Sequence, residues 1–249
     1  MSIRIWEVRK SFGARVVLDG VTLDVDAGET VAIIGFSGSG KSVLLKTIVG
    51  LLKPDSGAVF VDGQDVGALR REELYALRRQ VGYVFQFAAL FDSMTVEENV
   101  AMGLRRVPGM TEAQIRERVE ESLRLVELEG YGARLPGQLS GGQRKRVGLA
   151  RAIATRPRYV LYDEPTTGLD PVTTAVIDRL ILKLDRELGV TSLVVTHNME
   201  SALRIADRIA FLHDGRVRFT GTPDEVRSSE DPIVRAFIEG RPELAQEVV

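Results

Sequence analysis

Apolar and polar residues alternate through the first 25 residues of the chain. Alternation with period two, interrupted by glycines, is typical of antiparallel strands that bury one face. The segment Thr30–Ile34 is instead almost continuously apolar, which predicts a strand buried on both faces. The apolar positions lie at Ile3, Ile5, Val16, Leu18, Val21, Leu23 and Val25, with turn glycines at Gly13, Gly20 and Gly28.

The spacing becomes helical between Thr95 and Ile153. Thr111 and Gln114 form a capping-box pattern that predicts a helix N-terminus. Apolar residues then fall on one helical face, and Gly130 is predicted to close this helix. The apolar positions of the face are Ile115, Val119, Leu123 and Val126.

Short apolar strands return after this region, at Tyr159–Tyr162 and Ser192–Val195, with a helix near Thr173–Leu188 between them. Ile209–Leu212 and Val217–Thr220 flank an Asp-Gly pair, which predicts a hairpin. The order predicts an α/β core interrupted by a helical insertion of about 60 residues.

We therefore divide the chain into three parts. Residues 1–94 and 156–222 are predicted to form the α/β core, including an N-terminal antiparallel β subdomain. Residues 95–155 are predicted to form an inserted helical subdomain. Residues 223–249 form a polar tail with a short helix near Ile233–Ile238.

Composition narrows the possible functions. The 249 residues carry a net charge of −2, which disfavours a nucleic-acid partner, since such partners select basic surfaces. The sequence contains no cysteine, which excludes disulfides and thiolate metal sites. No apolar run approaches the roughly 20 residues of a membrane helix, and we expect no secretory signal. If the protein serves a membrane, another chain must span it.

A complete phosphate-loop pattern follows the buried strand Thr30–Ile34 and opens a helix. Glycines let the backbone wrap around phosphate oxygens, and the helix N-terminus adds positive potential. Lys41 is predicted to contact the β- and γ-phosphates, and Ser42 to ligate Mg²⁺. The predicted ATP-binding residues here are Gly35, Ser37, Gly38, Ser39, Gly40, Lys41, Ser42 and Val43.

Two carboxylates end the apolar strand Tyr159–Tyr162. An acidic residue at a strand end can hold the same Mg²⁺ that a phosphate-loop serine ligates. We assign this role to Asp163. Glu164 is then predicted to be the general base that activates the attacking water.

The pentad Leu139-Ser140-Gly141-Gly142-Gln143 resembles the signature motif of ATP-binding-cassette (ABC) proteins. Ser140 can cap the following helix, whose bare N-terminal amides would face a second phosphate group. The resemblance implies a P-loop NTPase (RecA-like) fold. It also implies a head-to-tail homodimer, in which Ser140, Gly141, Gly142 and Gln143 complete the ATP site of the partner.

Four further positions resemble family motifs and occur in the expected order. The resemblance implies that Phe12 stacks on adenine and that Gln86 senses Mg²⁺ and the attacking water. It implies that Asp170 approaches the opposing protomer and that His197 contacts the γ-phosphate. Phe12 could alternatively be a core aromatic residue. The other histidine, His213, is predicted to lie at the surface.

The segment Leu90–Val100 resembles Mla-type ATPases, which power lipid trafficking with MCE-domain proteins. Gly40–Lys46 and Asp231–Gly240 resemble the same branch. The expected protein is an ATPase at the cytoplasmic face of the inner membrane, bound to permease subunits and an MCE-domain protein. An amino-acid or ion importer ATPase shares every catalytic motif and stays an alternative. A non-transport ABC ATPase acting on DNA, ribosomes or cluster assembly is the third.

The sequence also departs from the family pattern. Phe36 stands in the phosphate loop where proline or a polar residue is common, and Phe87-Ala88 replaces an expected Ser/Gly pair. A basic run, Arg144–Arg146, follows the signature motif; we expect its side chains to splay over different helix faces and to be solvated near the nucleotide.

Overall fold

A computed structural model describes residues 2–241. Residues 242–249 of the predicted tail lie outside the described part. This part divides into two compact units, residues 2–70 with 193–241, and residues 71–192.

Strands and helices follow one another along the chain as follows: β1 (Ile3–Phe12), β2 (Arg15–Val25), β3 (Thr30–Ile34), α1 (Lys41–Ile48), β4 (Ser56–Val61), β5 (Gln64–Asp65), α2 (Arg71–Arg79), β6 (Val81–Val84), α3 (Val96–Leu104), α4 (Glu112–Leu125), α5 (Gly141–Ile153), β7 (Tyr159–Asp163), α6 (Pro171–Leu188), β8 (Thr191–Val195), α7 (Met199–Ile205), β9 (Arg208–His213), β10 (Arg216–Gly221), α8 (Pro223–Arg227) and α9 (Pro232–Glu239).

The first unit contains the predicted antiparallel sheet, with strand order β2-β1-β4-β5. Its inward residues, among them Ile3, Ile5 and Leu18, are fully buried or nearly so. Strand β3 is buried at all five positions and pairs in parallel with β9. The continuous pattern is therefore confirmed, and so is the alternating pattern, except at Val16, which is 59% exposed.

The predicted hairpin is also confirmed in this unit, as β9 and β10 pair in antiparallel fashion. Asp214 and Gly215 both have positive φ, 46° and 71°, which suits the right-handed twist of the flanking strands. Helix α9, predicted near Ile233–Ile238, begins at the Asp231 cap and packs Ile233 and Val234 into an apolar cluster.

In the second unit, β6 and β7 pair in parallel, and α5 packs against α3, α4 and α6. The Thr111 and Gln114 capping box is present at the start of α4. However, the prediction that Gly130 closes this helix is wrong, because α4 ends at Leu125. Glu127 takes the left-handed position at φ 58°, and the Leu128 amide donates to the Leu123 carbonyl, which is a Schellman ending without glycine.

Strand β8 begins in the second unit and ends in the first. In the second unit the Thr191 amide donates to the Arg158 carbonyl, and in the first unit the Thr196 amide donates to the Ile33 carbonyl. None of the helices within residues 2–241 has the length and apolar character needed to cross a bilayer.

Candidate functional site

The phosphate loop of the first unit connects β3 to α1 and requires glycine at two positions. Gly35 has φ 152°, and a Cβ there would lie 2.2 Å from the Leu212 carbonyl oxygen. Gly40 caps α1 with φ 100°, and a Cβ there would lie 2.8 Å from Leu18 Cδ2. The close packing therefore fixes the path of the loop at both ends.

Lys41 folds back over this loop. Its Nζ donates to the Gly35 carbonyl at 2.8 Å and to the Phe36 carbonyl at 3.0 Å, and the residue is 7% exposed. Within residues 2–241, Ser39 Oγ is buried without a hydrogen-bond partner. An orphaned hydroxyl and a lysine at a helix N-terminus fit a ligand rich in acceptor oxygens, as a triphosphate is. Ser42 and Val43 lie in the first turn of α1 and are half-buried.

Phe12 and His197 also belong to the first unit. Phe12 ends β1 and is 49% exposed, which rules out the alternative that it is a core residue. Its ring faces Lys10 Nζ at 5.6 Å from the centroid and has area free for stacking. His197 is exposed and lies two residues after β8, immediately before Asn198, which caps α7.

Phe36, the unusual residue of the phosphate loop, belongs to an aromatic cluster. Its ring lies 6.1 Å from Phe211, 6.0 Å from His213 and 5.1 Å from Phe237 of α9. His213 stacks on Phe211 with an interplanar angle of 11° and a side chain only 17% exposed. His213, the last residue of β9, is therefore half-buried and not a fully exposed surface residue as predicted, because its ring packs against Phe36 and Phe211.

Asp163 ends β7 in the second unit and Glu164 directly follows the strand; they are 6% and 8% exposed. The Tyr83 hydroxyl donates to Asp163 Oδ2 at 3.1 Å. Burial, together with the neighbouring carboxylate, raises the pKa of Tyr83 well above its ordinary value, so that the phenol stays protonated as a donor. The sequence analysis does not identify Tyr83 as a site residue. No local sequence pattern points to it, because it meets Asp163 only through the pairing of β6 with β7.

The backbone of Glu164 is unusual for a residue with a side chain, because its φ is 51°. The Thr167 amide donates to the Glu164 carbonyl at 3.3 Å, and Thr167 Oγ1 donates to the carboxylate at 3.1 Å. This turn directs a largely buried carboxylate at a strand end, where it can accept a proton.

Gln86 follows β6 and is half-buried, and its carbonyl accepts a hydrogen bond from Lys145 Nζ. Lys145 is 7% exposed, so the prediction that the whole basic run is solvated is wrong at this position. Arg144 is exposed and Arg146 half-buried, which confirms that the run splays over different faces. Burial lowers the pKa of Lys145, while the Glu164 carboxylate opposes this shift.

The signature segment forms the N-terminus of α5. Ser140 Oγ accepts from the backbone amide of Gln143 at 3.2 Å, and Gln143 Oε1 accepts from the backbone amide of Ser140 at 2.9 Å. The two hydrogen bonds complete a capping box. The predicted cap is confirmed, and Gly141 and Gly142 occupy the first helical turn. Asp170 caps α6 in a similar way, because its carboxylate accepts from the backbone amides of Val172 and Thr173. The hydrogen bond from the Thr173 hydroxyl is the largest cause that lowers the pKa of this carboxyl, and the backbone amides lower it further.

The predicted residues fall into two groups. The first unit holds the phosphate loop, Phe12 and His197. The second unit holds Gln86, Asp163, Glu164, Asp170 and the Ser140–Gln143 segment, and Lys145 joins Gln86 to Glu164 there.

Known proteins resemble the chain closely. It is 41% identical over 241 residues to the probable ribonucleotide transport ATP-binding protein mkl of Mycobacterium leprae, covering 97% of this chain and 70% of that protein. It is 47% identical over 242 residues to the sulfate/thiosulfate import ATP-binding protein CysA of Caulobacter vibrioides, covering 96% and 70%.

Solved structures agree with the predicted fold. The dimeric ATP-binding cassette MJ0796, in a post-hydrolysis state bound to ADP and Pi, matches with TM-score 0.81 and 38% identity over 89% of this chain and 98% of that chain. The cassette cbiO1 from Clostridium perfringens, part of the complex cbiONQ, matches with TM-score 0.84 and 29% identity over 99% and 98%. The α/β P-loop NTPase fold, with its antiparallel subdomain and helical region, is confirmed.

A family model described as ABC transporter matches residues 18–167. The chain therefore belongs to the ABC transporter family, as an ATP-hydrolysing subunit.

Proposed function

We propose that the residues predicted from the sequence bind ATP together with Mg²⁺. The loop from Gly35 to Val43 holds the phosphates, Phe12 stacks on adenine and His197 contacts the γ-phosphate. Ser42, Gln86 and Asp163 would hold Mg²⁺. When bound, the ion neutralises charge on the β- and γ-phosphate oxygens. The Tyr83 hydroxyl on Asp163 supports this assignment, because it orients the carboxylate at the end of β7.

Two copies of the chain act as a head-to-tail dimer in this proposal. The Ser140–Gln143 segment of one copy faces the nucleotide of the other, and Asp170 lies near the opposing protomer. The capping box supports this role, because Ser140 and Gln143 satisfy each other while the Gly141 and Gly142 amides of the first turn are left for an anion.

Glu164 is the general base. Its carboxylate accepts a proton from the water that attacks the γ-phosphate, while the phosphate loop holds the leaving ADP. The Thr167 hydroxyl on the Glu164 carboxylate supports this role, since it fixes one oxygen. Hydrolysis then reopens the dimer.

We further propose that the transported substrate is a phospholipid or another hydrophobic molecule. This proposal rests on the residues Leu90–Val100, which resemble the lipid-trafficking branch of the family. The loop that contains Phe87 and Phe91 is where a partner subunit would dock. Phe87 is 80% exposed and Phe91 is 52% exposed, so that two aromatic rings project from one loop. Exposed aromatic residues on an ordered backbone are typical of protein interfaces.

This loop is held firmly. Asn99 is fully buried. Its side-chain Nδ2 donates to the backbone carbonyls of Phe91 and Met94, and its Oδ1 accepts from the backbone amide of Phe91. Arg151 donates to the carbonyls of Ala88 and Ala89. The backbone that carries the exposed rings is therefore held in place before binding, as a docking surface for permease subunits requires.

An ion importer is the second candidate. It is supported by the 47% identity to a sulfate/thiosulfate import protein. The residues Leu90–Val100 favour the lipid-trafficking branch, with an MCE-domain partner at the cytoplasmic face of the inner membrane. Residues 95–155 would act as the helical subdomain that moves with this segment.

Co-purification tests the proposal. The Glu164→Gln chain is purified from its native membrane, and the associated proteins and lipids are identified by mass spectrometry. We expect permease subunits with an MCE-domain protein and bound lipid. Recovery of a permease with a solute-binding protein would instead assign the chain to the importers.

A pair of variants tests the docking surface. Phe87→Ser should abolish recovery of the membrane proteins, because it removes the most exposed aromatic ring of the loop. Leu51→Ser, at another exposed apolar position, should retain it. Equal recovery with both variants would contradict docking through Phe87.

A further inference from the structure

Lys145 is a buried charge that the proposed mechanism does not use. It lies on α5, two residues after Gln143, and is 7% exposed. A buried ammonium group needs hydrogen-bond acceptors to offset its desolvation. Its acceptors therefore indicate what the residue does.

The acceptors are backbone carbonyls from two separate functional segments. Lys145 Nζ donates to the carbonyl of Gln86, and to the carbonyl of Glu164 at 3.3 Å. A charged donor makes stronger hydrogen bonds than a neutral one, more so in a water-poor setting. The two carbonyls are thus tied to one nitrogen atom on one helix.

The Glu164 carbonyl lies at a point where the backbone is strained. Glu164 has φ 51°, a conformation that residues with a Cβ adopt rarely. The direction of the Glu164 side chain depends on this torsion. Lys145 and the Thr167 amide both donate to the carbonyl and so stabilise the conformation.

The Gln86 side of the contact continues along the same helix. Arg151, six positions after Lys145 on α5, donates to the carbonyls of Ala88 and Ala89. Two cations of α5 therefore hold the backbone of residues 86–89. Any displacement of that segment pulls on the helix that also carries the Glu164 contact.

We propose that Lys145 is a positioning residue that transmits the position of the Gln86–Ala89 segment to the backbone of Glu164. This inference rests on the proposed function, in which Glu164 is the general base and the segment after Gln86 meets the permease. It assigns to the helix behind the signature motif a second role, coupling partner contact to hydrolysis.

The test measures ATPase kinetics of the full chain for Lys145→Met, Lys145→Arg and a matched control, Lys183→Met. Lys183 Nζ donates to the Leu125 carbonyl at 3.3 Å in the same unit, so the control also removes a lysine-to-carbonyl contact. Hydrogen exchange of residues 86–89 and 164–167 is followed in parallel. Glu164→Gln is assayed alongside.

We expect Lys145→Met to lower kcat at least tenfold with KM for ATP within threefold of wild type. Exchange should rise in both segments, and Lys145→Arg should restore most of kcat. Lys183→Met should change none of these values. If Lys145→Met does not fold, Lys145→Gln, a neutral donor, takes its place in the same comparison.

Equal kcat for the Lys145 and Lys183 variants would overturn the inference. The turnover of Glu164→Gln separates the general-base proposal from the positioning proposal. Normal turnover there removes the general base, whereas lost turnover with an active Lys145→Met removes only the positioning role.

Discussion

The ring of Phe36 in the phosphate loop packs edge-on against the ring of Phe237 in α9, with centroids 5.1 Å apart and an interplanar angle of 87°. Edge-to-face pairs contribute about 0.5–1.5 kcal/mol beyond their buried area. The Phe36 carbonyl also accepts from Lys41 Nζ and from the Ser39 amide. Helix α9 therefore supports the backbone that places Lys41, the lysine that we propose binds phosphate.

Phe237→Ala should weaken ATP binding. Loss of the ring lets Phe36 shift, and we expect KM for ATP to rise about three- to tenfold, equivalent to about 0.7–1.4 kcal/mol. Thermal unfolding should show a stability loss of about 2–4 kcal/mol. Ile233→Ala, on the same helix, leaves the ring contacts of Phe36 in place and should lower stability without the change in KM. An equal KM for both variants would show that α9 only adds stability.

The sequence predicted those features that depend on local signals. The strand Thr30–Ile34, the Asp214-Gly215 turn and the Ser140 cap each involve residues within a few positions of one another. The sequence analysis does not predict helix α2. Leu77 is its only buried residue among the described positions, so that the helix has no periodic apolar face to detect. Its acidic first turn and basic last turn were the signal available.

Contacts between distant positions could not be predicted in the same way. Tyr83 meets Asp163 because β6 pairs with β7, and Lys145 meets Gln86 because α5 packs on β6. A single sequence carries no periodicity that links such positions. The motif residues were found through their pattern, whereas the residues that hold them appear only after folding.

Lys41→Ala should lose ATP affinity at least tenfold. The substitution removes the ammonium group at the N-terminus of α1, where positive charge meets the phosphates. Calorimetric titration with ATP and Mg²⁺ measures the change, and Lys53→Ala, at an exposed position, serves as the control. Unchanged affinity in a folded Lys41→Ala chain would contradict the phosphate-loop assignment.

Glu164→Gln should bind ATP and stop turning it over. The amide has nearly the same shape but cannot accept the proton of the attacking water, so we expect kcat to fall about 10²-fold or more. The ATP-bound dimer should then persist longer, as seen by size-exclusion chromatography with ATP compared with ADP. Near-normal turnover would remove Glu164 as the base.

An ion pair between Glu29 and Arg208 joins the start of β3 to the start of β9. Arg208 donates two hydrogen bonds to the Glu29 carboxylate, at 2.7 and 2.9 Å, and the Asp26 amide donates a third at 2.9 Å. Burial acts to raise the pKa of Glu29, but the hydrogen bond from Arg208 and that from the Asp26 amide outweigh it, so the pKa lies below the ordinary value. Ionised Glu29 therefore stabilises the fold.

Since the pKa of Glu29 is depressed in the folded chain, its stabilisation is present above the unfolded pKa of about 4.3 and is lost as the pH falls through the folded value. Glu29→Gln should therefore be about 1–2 kcal/mol less stable than wild type at pH 7. The difference should shrink towards zero as the pH falls through and below the folded pKa. Urea unfolding at pH 7, 5 and 3 measures the difference in stability between Glu29→Gln and wild type at each pH. The exposed Glu187→Gln serves as the control. A gap that is equal at pH 7 and pH 3 would mean that the Glu29 side chain stabilises the protein through packing and not through its charge.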